Sequence, residues 1–131
     1  MIDNMQILVV DDKVNIHESI ISLLQQYNVD VDVAINGLDG YEKAIVADYD
    51  LYIIDHLMPI MDGLQLVKSL KSRPNTADAP ILFMTTKQLS YVEKLAEFPL
   101  FSAVIHKPIV PESFYQVINQ LLPQNTVRQS L

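Results

Sequence analysis

Five short apolar runs, each closed by polar or turn residues, constrain this chain more than any other feature of its sequence. Gln6-Ile-Leu-Val-Val10 ends in Asp11-Asp12, and Val29 to Ala34 alternates strictly before Asn36-Gly37. Leu51-Tyr-Ile-Ile54 ends in Asp55, Ile81-Leu-Phe-Met84 in Thr85-Thr86, and Phe101 to Ile105 in His106-Lys107-Pro108. Runs this short, bounded by turn residues, read as strands rather than helices. Between them lie apolar patterns of helical period. Ile16, Ile20, Leu23, Leu24 and Tyr27 mark a helix over Val14 to Tyr27; Leu38, Tyr41, Ala44 and Ile45 mark one over Leu38 to Ala47. Leu64, Val67 and Leu70 give a third, stopped near Arg73-Pro74. A fourth is expected over Leu89 to Phe98, with Leu89, Val92 and Leu95 or Ala96 inward and Pro99 as its limit. Pro111 opens the last, where Phe114, Val117, Ile118 and Leu121 share a face. Fivefold alternation of strand and helix implies an α/β fold: a doubly wound parallel sheet with helices on both faces. The alternating second run, with one polar face, belongs near the sheet edge.

Composition narrows the function classes. The chain has 131 residues, enough for one domain with a real core, here assigned to 1–123 with a polar tail over 124–131 expected to fray. Half of it is hydrophobic and its formal charge is −7, which argues against disorder and against a face that grips nucleic acid. Without cysteine it has neither a disulfide frame nor a thiolate metal site. No apolar stretch approaches the ~18 residues of a membrane span, and Met1-Ile-Asp-Asn lacks the basic start of a signal peptide. A cytoplasmic domain without membrane contact is the expectation.

In open α/β sheets ligands collect at the carboxyl ends of the strands. Here those ends carry Asp11 and Asp12, Asp55, Thr85 and Lys107. Three carboxylates crowded into one partly buried crevice repel one another. A hard divalent cation with oxygen ligands relieves that repulsion, and Mg²⁺ suits a site of few carboxylates and several waters. With Lys107, the formal charge then balances to zero. Such a crevice can admit a phosphoryl group, with Asp55 attacking in line and Thr85 donating a hydrogen bond to a phosphoryl oxygen after transfer.

Asp11-Asp12, Asp55, Met58-Pro59, Met61-Asp62-Gly63, Thr85 and Lys107-Pro108 together resemble the receiver (CheY-like) domain of two-component response regulators, over roughly Gln6 to Leu122. The resemblance implies a flavodoxin-like strand order 2-1-3-4-5. It implies that Asp55 accepts phosphate from a histidine kinase or a phosphotransfer protein. Asp12 and Asp55 would ligate Mg²⁺, Asp11 would help through water, and the Leu57 main-chain carbonyl would complete the set. Thr85 and Lys107 would hold the phosphoryl oxygens, and a downstream protein would read the altered surface. The Lys107–Pro108 bond is expected to be cis.

Three positions depart from the family's pattern. Val104 stands where an aromatic switch residue is usual, Thr86 where a small residue follows the threonine, and Phe98-Pro99-Leu100-Phe101 where a glycine precedes the last strand. They touch the passing-on of the signal and leave the acceptor residues intact. A degenerate receiver acting as a protein-binding module, and an aspartyl-phosphate-type phosphohydrolase, are the alternatives. The second lacks its usual acid two residues after the nucleophile, where Leu57 stands. The chain is therefore expected to catalyse only its own phosphorylation and dephosphorylation. Leu57 is expected to shield the acyl phosphate, and Lys87 either to hold a water or to lie over the phosphoryl group. His56, at a loop start, reads as a surface residue; neither His17 nor His106 is expected to be catalytic.

Overall fold

The computed structural model describes residues 4–127. Its strands are β1 (Met5–Val10), β2 (Val29–Ala34), β3 (Leu51–Asp55), β4 (Ile81–Thr85) and β5 (Ala103–His106). They alternate with α1 (Val14–Leu23), α2 (Gly37–Val46), α3 (Gly63–Lys71), α4 (Leu89–Val92) and α5 (Pro111–Leu121). The strands form one parallel sheet in the order β2-β1-β3-β4-β5, so the flavodoxin-like expectation holds and β2 is an edge. Register aligns the carboxyl ends: Val10 opposite Ile54, Asp55 opposite Met84, Thr85 opposite His106. The candidate residues therefore share one edge.

Period-two alternation splits the strand residues between two cores. Ile7, Val9, Leu51, Ile53, Leu82, Met84 and Ile105 pack with Ile20 of α1 and Phe114 and Ile118 of α5. Leu8, Val10, Tyr52, Ile54, Ile81 and Phe83 pack with Ala44 of α2 and Leu66, Val67 and Leu70 of α3. Helix starts follow the capping residues. Asn36 accepts the Asp39 N–H at 2.8 Å, Asp62 and Gln65 form a reciprocal capping box, and Pro111 occupies the first turn of α5.

Four helix and tail expectations need correction. α1 stops at Leu23 and a 3₁₀ turn (Leu24–Gln26) carries the chain to Tyr27, although Leu24 and Tyr27 stay buried. α2 buries Gly37, Gly40 and Ala44, while Leu38 and Ile45 are exposed. The reason is close approach: a Cβ on Gly40 would sit 3.0 Å from Val10 and 3.2 Å from Leu66, so the small-residue stripe faces the sheet. α4 is a single turn with Val92 buried and Leu89 exposed, followed by turns and a 3₁₀ segment (Phe98–Leu100). Pro99 sits in the first turn of that 3₁₀ segment, where a missing N–H is tolerated. Phe101 is drawn onto the sheet, where it stacks on Phe83 at 4.1 Å and 7°. The tail is ordered as far as it is described. Gln124–Thr126 form a 3₁₀ turn, the Asn28 N–H donates to the Thr126 carbonyl at 2.6 Å, and Val127 bridges Tyr27 antiparallel. Residues 128–131, and with them the rest of the expected frayed tail, lie outside the described residues. Among the described residues no helix is long and apolar enough to cross a membrane.

Candidate functional site

The candidate crevice is assembled by the sheet edge. Asp55 is the last residue of β3 and Thr85 the last of β4; Asp11 directly follows β1 and Lys107 directly follows β5. Asp11, Asp55, Thr85 and Lys107 are buried, whereas Asp12 faces water. Lys107 Nζ bridges two carboxylates, donating to Asp11 Oδ2 at 2.9 Å and to Asp55 Oδ1 at 3.0 Å. One carboxylate oxygen from each of Asp11, Asp12 and Asp55 lies within 4.8 Å of the others. Asp11, Asp12, Asp55 and Lys107 thus converge, and Lys107–Pro108 is cis.

Burial raises the Asp55 carboxyl above its ordinary value; the Lys107 hydrogen bond opposes this, while Asp11 and Asp12 reinforce it. Burial alone would depress Lys107, but its bonds to Asp11 and Asp55 outweigh that and the ammonium is held above its ordinary value. One ammonium therefore serves carboxylates that repel each other. The donor set fits Mg²⁺: it is all oxygen, three carboxylates converge, and exposed Asp12 leaves room for waters. Among the described residues the Leu57 carbonyl receives no hydrogen bond, which leaves it free as a further ligand.

The loop from His56 to Asp62 is pinned at both ends. The Gly63 N–H donates to the His56 carbonyl and the Gly37 N–H to the Met61 carbonyl, each at 2.8 Å. A Cβ on Gly63 would overlap the Asp55 carbonyl, and one on Gly37 the Met61 carbonyl. These two glycines are thus required by close approach rather than by positive φ. Positive φ falls instead on a β-branched residue, Ile60, at 72°. Leu57 is 58% exposed.

One of the three histidines departs from expectation. His56 is buried, not at the surface, and its Nδ1 lies 2.9 Å from Thr85 Oγ1. Its ring lies against Phe83 and Tyr91, and burial lowers its pKa. An apolar neighbour on β4 and an aromatic on α4 turn it inward; a single histidine after Asp55 carries no periodic signal of this. His17 is also buried, its Nε2 2.7 Å from the Asp11 carbonyl oxygen, so it braces the strand end. His106 reaches the Thr86 carbonyl at 3.0 Å. Lys87 Nζ lies 5.4 Å from the Tyr91 ring centre. Beside Thr85, small Val104 leaves a recess of about 210 Å³ lined also by Leu89, Val92 and His106.

Residues 7–119 match the family model described as the response regulator receiver domain. The chain belongs to that family. Among solved structures, the chemotaxis response regulator CheY4 of Vibrio cholerae superposes with a TM-score of 0.83 at 28% identity, covering 91% of this chain and 99% of that one. The response regulator TrrA of Thermotoga maritima, in complex with Mg(2+)-BeF, gives 0.79 at 29% identity over 90% and 99%. Among curated relatives, the transcriptional regulatory protein DltR of Streptococcus agalactiae is 37% identical over 87 residues. A probable transcriptional regulator of Porphyra purpurea is 29% identical over 109. The matches cover 66% and 79% of this receiver domain but only 38% and 52% of those proteins, so the chain spans about half their length or less.

Proposed function

We propose that this receiver domain is a phosphoacceptor switch in which Asp55 takes the phosphoryl group. The observation that carries the reading is the bridge from Lys107 Nζ to both Asp11 and Asp55, beside an oxygen cluster that includes Asp12. Asp55 Oδ attacks phosphorus in line, forming an O–P bond as the bond to the donor breaks and its electron pair leaves with the donor group. The donor is a histidine kinase, a phosphotransfer protein or a small acyl phosphate. Asp11, Asp12, Asp55 and the Leu57 carbonyl would hold Mg²⁺, which when bound supplies charge against the equatorial phosphoryl oxygens. Lys107 then turns from Asp55 to a phosphoryl oxygen, and Thr85 donates its hydroxyl proton to another. The output is a changed surface read by a protein partner, and the net charge of −7 makes nucleic acid an unsuitable direct ligand of this domain.

The test is incubation with a small phosphodonor and Mg²⁺ followed by intact mass. One added phosphate is expected, and none with Asp55→Asn. Labelling of Asp55→Asn at the parental rate would overturn the assignment.

A further inference from the structure

The departure at Val104 removes the usual aromatic next to Thr85, yet an aromatic does touch the Thr85 hydroxyl from just past the end of β3. That residue is His56. Thr85 Oγ1 accepts the Lys87 N–H at 3.0 Å, and its second partner is His56 Nδ1 at 2.9 Å. Beyond Nδ1 the ring continues a run of ring contacts. Its centre is 5.2 Å from that of Phe83 in the core and 6.2 Å from that of Tyr91, which is 47% exposed. Lys87, whose backbone fixes Thr85, lays its ammonium over the same Tyr91 ring. One hydroxyl is thus tied through two routes to one surface residue of α4.

We infer that His56 is the positioning residue of the switch: it accepts the Thr85 hydroxyl proton in the unphosphorylated state, and its release moves Tyr91. This rests on Asp55 being the phosphoacceptor. A hydroxyl has one proton to donate. When a phosphoryl oxygen arrives at Asp55, that oxygen and His56 Nδ1 compete for it. Once the proton turns to the phosphoryl group, Nδ1 loses its partner and the ring its fixed orientation. A buried imidazole left unpaired is costly, so the ring and its neighbour Tyr91 resettle. Position 104 need not move for the α4 surface to change.

The chain contains no tryptophan, so Tyr91→Trp introduces a single indole reporter at the proposed end point. The probe is beryllofluoride with Mg²⁺, titrated into the Tyr91→Trp protein and into the same protein carrying His56→Phe or His56→Asn. The parent reporter should shift its emission on saturation. His56→Phe keeps a ring against Phe83 but removes the competing acceptor. It should bind the probe roughly fivefold tighter, the equivalent of one neutral hydrogen bond, and lose most of the indole emission shift. His56→Asn keeps an acceptor near the Nδ1 position without the ring, so it should return affinity toward the parent and still lack the shift. General damage to the site would weaken binding instead. A parental emission shift or a parental affinity in His56→Phe overturns the inference. Should that variant not fold, side-chain ¹⁵N shifts of the parent decide: His56 Nδ1 should be unprotonated and should move on adding the probe, and an unmoved Nδ1 overturns it. Failure of phosphodonor labelling in the parent is a separate result, which removes the acceptor reading itself.

Discussion

Ile60 places a β-branched side chain in the left-handed region, at φ 72°, on the acceptor loop between the two glycine-pinned ends. An L-residue there costs roughly 1–2 kcal/mol, and β-branching puts Ile60 at the upper end. Opposing this is packing, but Ile60 is 77% exposed. With full burial of an isoleucine worth about 1.5–3 kcal/mol, the quarter that is covered contributes only about 0.5 kcal/mol. Ile60→Asn gives up that packing and relieves most of the strain, since asparagine tolerates this conformation. A net gain of about 0.5–1 kcal/mol is expected, or a Tm rise of about 2–5 °C for a domain of this size. Ile60→Gly relieves the strain fully but loosens the unfolded chain, and should come out near parity, within about 0.5 kcal/mol. Ile60→Ala keeps the Cβ strain but sheds the share due to β-branching while it loses the packing, so it should stay within about 0.5 kcal/mol of the parent and below asparagine. Urea denaturation of the four proteins with a common m-value gives the ranking. If asparagine and alanine both destabilise to the same degree, the side chain matters only through packing and the strain argument is refuted.

Lys107→Ala leaves Asp11 and Asp55 buried without their shared cation and should cost about 3 kcal/mol of stability in chelator. Much of that loss should return on adding Mg²⁺, with metal affinity equal to or tighter than the parent by titration calorimetry, while phosphorylation stays impaired. Tyr52 has a buried hydroxyl with no partner among the described residues, and burial pushes its pKa up to about 12. The unfolded phenol ionises near 10, so parental stability should be intact below about pH 10 and fall as pH rises toward 12, by about 2 kcal/mol. Tyr52→Phe should remove that share of the alkaline loss in pH-dependent urea melts and be neutral or up to about 1 kcal/mol more stable at pH 7. An unchanged alkaline slope would count against the buried phenol. Finally, Leu57→Asn should shorten the lifetime of the phosphorylated protein in Mg²⁺, by placing a polar group where the exposed leucine limits the approach of water. A slower or unchanged loss of phosphate would end the shielding argument.

The sheet was legible because each strand shows its own period and ends in its own polar residue. The crevice was legible because parallel strands must bring those ends together. Helix limits were less so. Leu89, Val92 and Leu95 satisfy a helical period, but the period does not register the pull of Phe83 on Phe101. Leu38 and Ile45 likewise lost the inward face to Gly37 and Gly40, because fit against Val10 and Leu66 counts more than hydrophobicity there. His56 was misread for a similar reason. Its burial depends on Phe83, Thr85 and Tyr91, far along the chain, and a residue next to the acceptor has no local pattern that announces such partners. Polarity gives no sign that residues 124–127 are held, because their anchoring comes from the backbones of Tyr27 and Asn28.

That anchoring also fixes how the molecule can be handled. Val127 is fastened beside Tyr27, just ahead of the amino end of β2, whereas the acceptor crevice opens at the carboxyl ends of the strands. The rise along a six-residue strand puts roughly 17 Å or more of sheet between the two. A dye or surface linkage at position 127 would therefore leave the crevice facing solution. Mechanical load applied there would first peel a single backbone bridge from the end of the sheet, where β2 enters, before it reached the strands that hold Asp55.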